Sequence, residues 1–176
     1  MKHIDLFTPV DLISTDRGRD IDFHGRNPSV DEVWQLLELV PDPEIPVVSV
    51  VDLGIVRDVR NLESGWEVDI TPTYSGCPAT DFIASEVERA LDRAGLKAKI
   101  KTVLAPAWSS TWITAKGRQA MLESNIVPPV HDLNTLTCPN CGSDQVNLKN
   151  QFGSTACKAL YTCHTCLEPF DYFKTI

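Results

Sequence analysis

The sequence predicts an α+β fold: a two-layer domain with the element order α-β-β-α-β-α, followed by a small cysteine-rich module. Around Trp66, Val68 and Ile70, and again from Lys97 to Leu104, apolar and polar residues alternate with the period of a half-buried strand. From Val30 to Val40 and from Phe82 to Leu91 the apolar residues recur at helical spacing instead. Five of the six cysteines lie after residue 137, four of them in two C-x2-C pairs. The first two patterns describe helices laid against a sheet. The third describes a module held together by something other than its core.

The first helix opens at Ser29-Val30-Asp31-Glu32, a capping box with Ser29 as N-cap and Glu32 three residues on. Val30, Val33, Trp34, Leu37 and Val40 form its apolar face, on which Trp34 reads as core. Residues 1–28 before it mix charge with scattered apolar side chains, Asp16-Arg17-Gly18-Arg19-Asp20 being the most polar part, and are expected as a mobile or loosely docked arm. Three prolines in Pro41-Asp42-Pro43-Glu44-Ile45-Pro46 break the helix, because each lacks an N–H and restricts its predecessor. Val47 to Gly54 reads as a buried turn leading into a strand.

Ile55–Arg60 and Trp66–Thr73 are expected as an antiparallel hairpin joined through Glu63-Ser64-Gly65. The second helix runs from Pro78 to about Ala94, with Phe82, Ile83, Val87, Ala90 and Leu91 as its apolar residues and Gly95 as the residue that ends it. Lys97 to Leu104 is the third strand, whose lysines on one side mark a solvated face or an edge guarded against further pairing. Thr114 caps a last helix from Ala115 to about Ser124 that carries Met121 and Leu122. If the second and third strands run parallel, the loops around Cys77 and Trp108 share one edge of the sheet, where α/β folds place ligands. The α+β domain is therefore drawn at residues 29–124, with residues 125–136 and their Pro128-Pro129 pair as a linker separating two cores.

In residues 137–176, Cys138-Pro139-Asn140-Cys141 is followed after twenty-one residues by Cys163-His164-Thr165-Cys166. Two such knuckles point to a tetrahedral four-cysteine site, the pattern of a zinc ribbon, with short strands at Gln145–Leu148, Leu160–Thr162 and Pro169–Phe173. Four sulfurs close the coordination shell, so the expected role of the metal is structural. A module this small folds chiefly on its metal. Cys157 is left over, as a buried filler, a replacement ligand or a functional thiol. His3, His24 and His131 fall in the arm and linker, and His164 reads as a spacer inside its knuckle.

The net charge of −8 belongs wholly to residues 1–136, since residues 137–176 carry three acids and three bases. A nucleic-acid partner needs a basic face that this composition does not provide. No apolar run reaches the length of a membrane span, and Met1-Lys2-His3-Ile4-Asp5 shows no apolar signal region, so the expected setting is the reducing cytoplasm, where paired cysteines bind metal.

Cys77 is the candidate functional thiol. In Thr73-Tyr74-Ser75-Gly76-Cys77-Pro78-Ala79-Thr80-Asp81 it stands between a strand and a helix, and Pro78 suits the first helical position. At the helix N-cap, amide groups and the dipole would favour its thiolate, the form that binds metal and attacks electrophiles. The alternative is a small buried hydrophobe in a tight turn.

Asp42-Pro43-Glu44-Ile45-Pro46, Val51-Asp52-Leu53-Gly54-Ile55-Val56, Tyr74-Ser75-Gly76-Cys77-Pro78, Trp108-Ser109 and Ile113-Thr114 resemble the domain shared by iron–sulfur cluster maturation proteins such as SufT. With Phe152 to Leu160 and Glu168 to Lys174 added, the whole resembles the D-subunit family of the phenylacetyl-CoA ring epoxidase system. The resemblance implies an accessory role in aerobic phenylacetate catabolism, with Cys77 as functional cysteine and Cys138, Cys141, Cys163 and Cys166 as zinc ligands. Three readings stay open. In the first, a maturation factor holds a transient iron–sulfur cluster on Cys77, shared with a second copy or with the client, of which the iron–sulfur reductase component of the epoxidase leads. In the second, a non-catalytic assembly subunit docks through the ribbon. In the third, a thiol enzyme uses Cys77 as nucleophile, although no histidine is marked as its base.

Overall fold

The structure, a computed structural model, describes residues 21–74 and 76–174. Helix α1 (Val30–Leu37) starts as the capping box requires: Ser29 Oγ accepts from the Glu32 N–H at 3.3 Å, and the Glu32 carboxylate accepts from the Ser29 N–H at 2.9 Å. Val33, Leu36 and Leu37 point into the core, whereas Val30 is exposed. The apolar face is thus rotated slightly from the expected one, onto Leu36. Strands β1 (Val56–Leu62) and β2 (Gly65–Ile70) form the expected hairpin, with Leu62 paired to Gly65 and φ +119° at Gly65. Helix α2 (Thr80–Arg93) crosses over to strand β3 (Ala98–Thr102), which pairs with β2 in parallel from Trp66↔Ala98 to Ile70↔Thr102. Gly95, at φ +81°, ends α2 as expected.

The sheet order is β1-β2-β3, so β3 is an edge strand. Side chains alternate across it as a period of two demands. Trp66, Val68 and Ile70 are buried with Val33 and Leu37 of α1 and Val87 and Leu91 of α2 in one cluster. The opposite face carries a charge ladder: Arg60 bonds Glu67 at 2.7 Å and Asp69 at 2.8 Å, and Lys101 bonds Glu67 at 2.6 Å. That face needs no second helical layer. Helix α3 (Ala115–Glu123) begins at Thr114, whose hydroxyl accepts from the Gly117 N–H at 2.9 Å. These elements give the expected α-β-β-α-β-α order.

Residues 125–136, expected as a linker, include strand β4 (Ile126–Val127), which joins a second sheet. That sheet has the order β4-β7-β6-β5, from β5 (Val146–Asn150), β6 (Lys158–Cys163) and β7 (Pro169–Phe173). Its own cluster is small and includes Val127, Leu136, Ala159, Phe170 and Tyr172. Cys157, Phe173 and Ile126 do not belong to it. They are buried in the larger cluster of the first sheet, where Phe173 meets Trp108 edge-on at 6.0 Å between ring centroids. The two cores are therefore joined, contrary to the separation expected at Pro128-Pro129.

The end of the expected arm is anchored as well. Phe23 is buried in the first core, its N–H donates to Ala94 O at 2.9 Å, and Ile21 packs beside it. An isolated Phe in a polar stretch carries no periodic signal, so only the packing finds it. Residues 1–20 of that arm, including Asp16-Arg17-Gly18-Arg19-Asp20 and His3, lie outside the described residues.

Because Phe173 comes from the second sheet and fills the first core, Phe173→Ala should destabilise both. The expected loss is about 3–5 kcal/mol, that of an emptied aromatic core site. Urea unfolding read by tryptophan fluorescence, which reports on the first core, should shift to lower midpoint. An unchanged midpoint would show that the two sheets fold independently.

Candidate functional site

The parallel pairing of β2 and β3 brings their following loops to one edge of the sheet. Val103 N–H donates to Ile70 O at 2.8 Å, and Thr71 N–H donates to Ile55 O at 2.8 Å, so both loops leave the sheet already tied to it. In the first loop the Cys77 N–H donates to Tyr74 O at 3.1 Å, and Cys77 O accepts from Thr80 Oγ1 at 2.9 Å. Helix α2 begins only at Thr80, with Ala79 as N-cap and no side-chain cap bond. Cys77 therefore stands two residues before the cap, and the expected thiolate is not favoured there. Its thiol is half-buried, and burial pushes it up from its ordinary range. The Glu44 and Asp42 carboxylates add to the rise, against the opposing pull of the Ala79 amide and the Thr80 hydroxyl.

Those carboxylates come from the proline-locked loop after α1. Asp42 is buried, and its Oδ1 accepts from the Glu44 N–H at 2.9 Å and the Ile45 N–H at 2.8 Å, a turn that fixes where Glu44 points. Burial raises the Asp42 carboxyl to about 6, although both amides work against it. The third contributor is Cys157, 113 residues further on, whose Sγ donates to Glu44 Oε2 at 3.2 Å. Thr155 Oγ1 lies 3.0 Å from the same sulfur. Burial, with the Glu44 carboxylate beside it, pushes this thiol up to about 12. Asp42, Glu44, Thr73, Cys77 and Cys157 line one cavity of about 10 Å³, closed by apolar side chains such as Leu53, Ile83 and Phe173.

Sequence reasoning placed Cys77 on this edge and left Cys157 with three roles. Its burial fits the filler, but its bond to Glu44 and its shared cavity with Cys77 take it further. An odd cysteine beside two complete knuckles was the available signal. Among the described histidines, His24, His131 and His164 are all exposed, and none lines this cavity. The Val51-Asp52-Leu53-Gly54 stretch holds the loops together. Asp52 accepts from Ser49 Oγ at 2.9 Å and Thr114 Oγ1 at 2.7 Å, and Trp108 Nε1 donates to Leu53 O at 2.9 Å. At Gly54, with φ +68°, a Cβ would meet the Trp112 Cβ at 2.6 Å, so only glycine lets the two segments approach.

The four knuckle cysteines converge separately. The sulfurs of Cys138, Cys141, Cys163 and Cys166 all lie within 4.8 Å of one another, with Cys138–Cys166 and Cys141–Cys163 at 3.6 Å. A tetrahedron with metal–sulfur bonds of about 2.3 Å has sulfur–sulfur edges of about 3.8 Å, so the quartet fits a metal ion. Gly142 and Leu167 follow the two knuckles at equivalent positions with φ +73° and +66°, turning each knuckle back on itself. The Cys166 amide, then that of Thr165, holds the Cys163 thiol down to about 6. His164 is exposed, as befits the expected spacer, while its backbone N–H donates to Gln145 O at 2.8 Å.

The Asp42 shift has a testable sign. The unfolded carboxyl ionises near 3.8 and the folded one near 6, so stability falls as pH rises through that window and the penalty is complete above it. Asp42→Asn keeps an oxygen for both amides and removes the charge. It should raise the melting temperature at pH 8 and leave it nearly unchanged near pH 4. An equal effect at both pH values would refute a buried charge as the cause.

Residues 30–104 match a model of the iron-sulfur cluster assembly protein family, and residues 128–174 match the PaaD zinc beta ribbon domain. A protein of Escherichia coli (strain K12), provisionally named as the D subunit of 1,2-phenylacetyl-CoA epoxidase, is 45% identical over 156 residues, covering 85% of this chain and 94% of its own. An Fe-S protein maturation auxiliary factor of Porphyromonas gingivalis is 35% identical over 96 residues, covering 53% of this chain and 88% of its own. The solved domain of unknown function DUF59 from Bacillus anthracis is 29% identical, with TM-score 0.49, over 52% of this chain and 90% of that one. With an identity of 45% sustained along nearly all of the Escherichia coli protein and both halves matched by their own family models, the chain belongs to the D-subunit family of phenylacetyl-CoA epoxidase.

Proposed function

We propose that this chain is a non-catalytic accessory protein of a phenylacetyl-CoA epoxidase system in aerobic phenylacetate degradation, and that it handles an iron–sulfur unit for an epoxidase component. The iron–sulfur reductase is the client, and Cys77 is the thiol that holds the unit as cargo. The observation that carries this reading is the cavity of about 10 Å³ that Cys77 lines with two carboxylic acids and a second thiol. Sites for small organic molecules measure about 300–1,000 Å³, so an acyl-CoA does not enter this one, and an iron–sulfur unit would sit outside it, on the half-buried Cys77 thiol. No described histidine lines it, which weighs against a nucleophilic enzyme. The match of residues 30–104 to iron–sulfur cluster assembly proteins supports the same reading. An iron–sulfur cluster is usually held by four cysteines, so transfer to a client would complete its ligands.

In the same reading Cys138, Cys141, Cys163 and Cys166 hold a structural zinc ion. The sulfur spacing supports a tetrahedral site, and four protein ligands leave no open position for chemistry. The isolated protein should be colourless with about one equivalent of zinc. A red protein with stoichiometric mononuclear iron at the quartet would overturn this assignment.

Cys77→Ser tests the function. Serine nearly matches the volume at this half-buried site, so stability should change by less than about 1 kcal/mol. Zinc content should not change. Co-expressed with the epoxidase system, the variant should yield a reductase poor in cluster and an epoxidase of low activity. Full cluster content and full activity would refute cargo handling through this thiol and leave a plain assembly subunit.

A further inference from the structure

We propose that the outer edge of β3 docks an extended segment of a partner protein, one whose side chains alternate between acidic and basic and which pairs with β3 as a fourth strand of the first sheet. The surface lies apart from Cys77, so the inference goes beyond the cargo-handling reading and does not need it.

The edge is open and regular. In the parallel ladder the Trp66 N–H donates to Lys97 O at 2.9 Å and the Val103 N–H to Ile70 O at 2.8 Å, with Trp66 opposite Ala98. The backbone groups of Lys97, Lys99, Lys101 and Val103 thus turn toward β2, and those of Ala98, Ile100 and Thr102 turn outward. No strand among the described residues pairs with them. The other outer strands are blunted: the pairing of β1 skips Arg57, that of β5 skips Lys149, and β4 is only two residues long. Strand β3 pairs from Ala98 to Thr102 without a break.

Successive side chains of an added strand fall on opposite faces of the sheet, and here the two faces differ in charge. On the helical side a groove of about 390 Å³ runs beside α2, lined by Asp81, Ala84, Ser85 and Glu88 of the helix and by Ala98 and Ile100 of the strand. Asp81 and Glu88 are exposed, so a side chain entering this groove meets negative charge. On the opposite face Lys99 and Lys101 stand in register with Glu67 and Asp69 of β2. Lys101 is already bonded to Glu67 at 2.6 Å, whereas Lys99 is exposed and has no ion pair among the described residues. An incoming acid would repeat on the outer side of β3 the pairing that β2 makes on its inner side. A second copy of β3 would instead set lysine against lysine, which opposes self-pairing. The lysines that guard this edge therefore select a partner by charge. Main-chain bonds give such a complex its affinity, and the alternate side chains give it specificity.

The test is a titration of the isotope-labelled full chain with a short synthetic peptide of alternating glutamate and lysine, followed by amide NMR shifts. The shifts should concentrate at Ala98, Ile100 and Thr102 and along the facing side of α2. Methylating the amide nitrogens of alternate peptide residues should abolish binding for one set and spare it for the other, because only one set of N–H groups faces β3. Lys99→Glu changes an exposed side chain and should weaken binding at least about threefold, the scale of reversing one cross-strand charge pair. Thr102→Pro removes an outward N–H and no bond to β2, so it should weaken binding while the other amide signals stay in place. An absence of shifts at β3 would overturn the proposal without recourse to any variant. Equal binding of the two methylated peptides would do so as well, since charge attraction alone would then account for it. Binding indifferent to Lys99→Glu would refute selection by charge. The cargo-handling reading is judged separately by client cluster content with Cys77→Ser, which this titration leaves untouched.

Discussion

The parallel pairing of β2 with β3 is the constraint on which the rest of this molecule depends. Antiparallel neighbours can be closed by a two-residue turn, but parallel ones need a crossover of a dozen residues or more. Here α2 is that crossover, and it returns the chain over the face already covered by α1. One face of the sheet is thereby sealed, and the other is left to the ladder of Arg60, Glu67, Asp69 and Lys101. The same pairing sends the Cys77 loop and the Trp108 loop off one edge. Trp108 offers its ring there, and Phe173 of the second sheet packs against it.

The second sheet is therefore more than an appended ribbon. It buries few side chains of its own, and its four converging sulfurs compensate for that small core. Its last strand and the residue before β6 reach into the larger core, which is what carries Cys157 to Glu44. A module closed by its cysteines can present one further cysteine at a fixed place because its backbone has so little freedom left.

Around that place the chain gathers groups that repel one another when ionised. Asp42 and Cys157 are both pushed upward by burial, and Cys77 shifts in the same direction. The buried Lys158 side chain, which donates to Glu44 O at 3.3 Å, is the cation beside them, and its charge works against the rise at both Asp42 and Cys157.

The sequence by itself determined whatever is decided by near neighbours along the chain. The capping box at Ser29 and Glu32, the turn at Gly65, the end of α2 at Gly95, the Thr114 cap and both cysteine knuckles follow from interactions spanning a few residues. Strand alternation in Trp66, Val68 and Ile70 likewise showed which face is buried, because side-chain direction has period two. Only the tertiary structure decided the rest. Phe23 as an anchor, the merging of the two cores through Phe173, the true start of α2 beyond Cys77 and the meeting of Cys157 with Glu44 each depend on packing. No local pattern encodes the approach of residues 113 positions apart. It is set by the sum of many contacts between two sheets, and a lone cysteine carries no periodicity from which to read it.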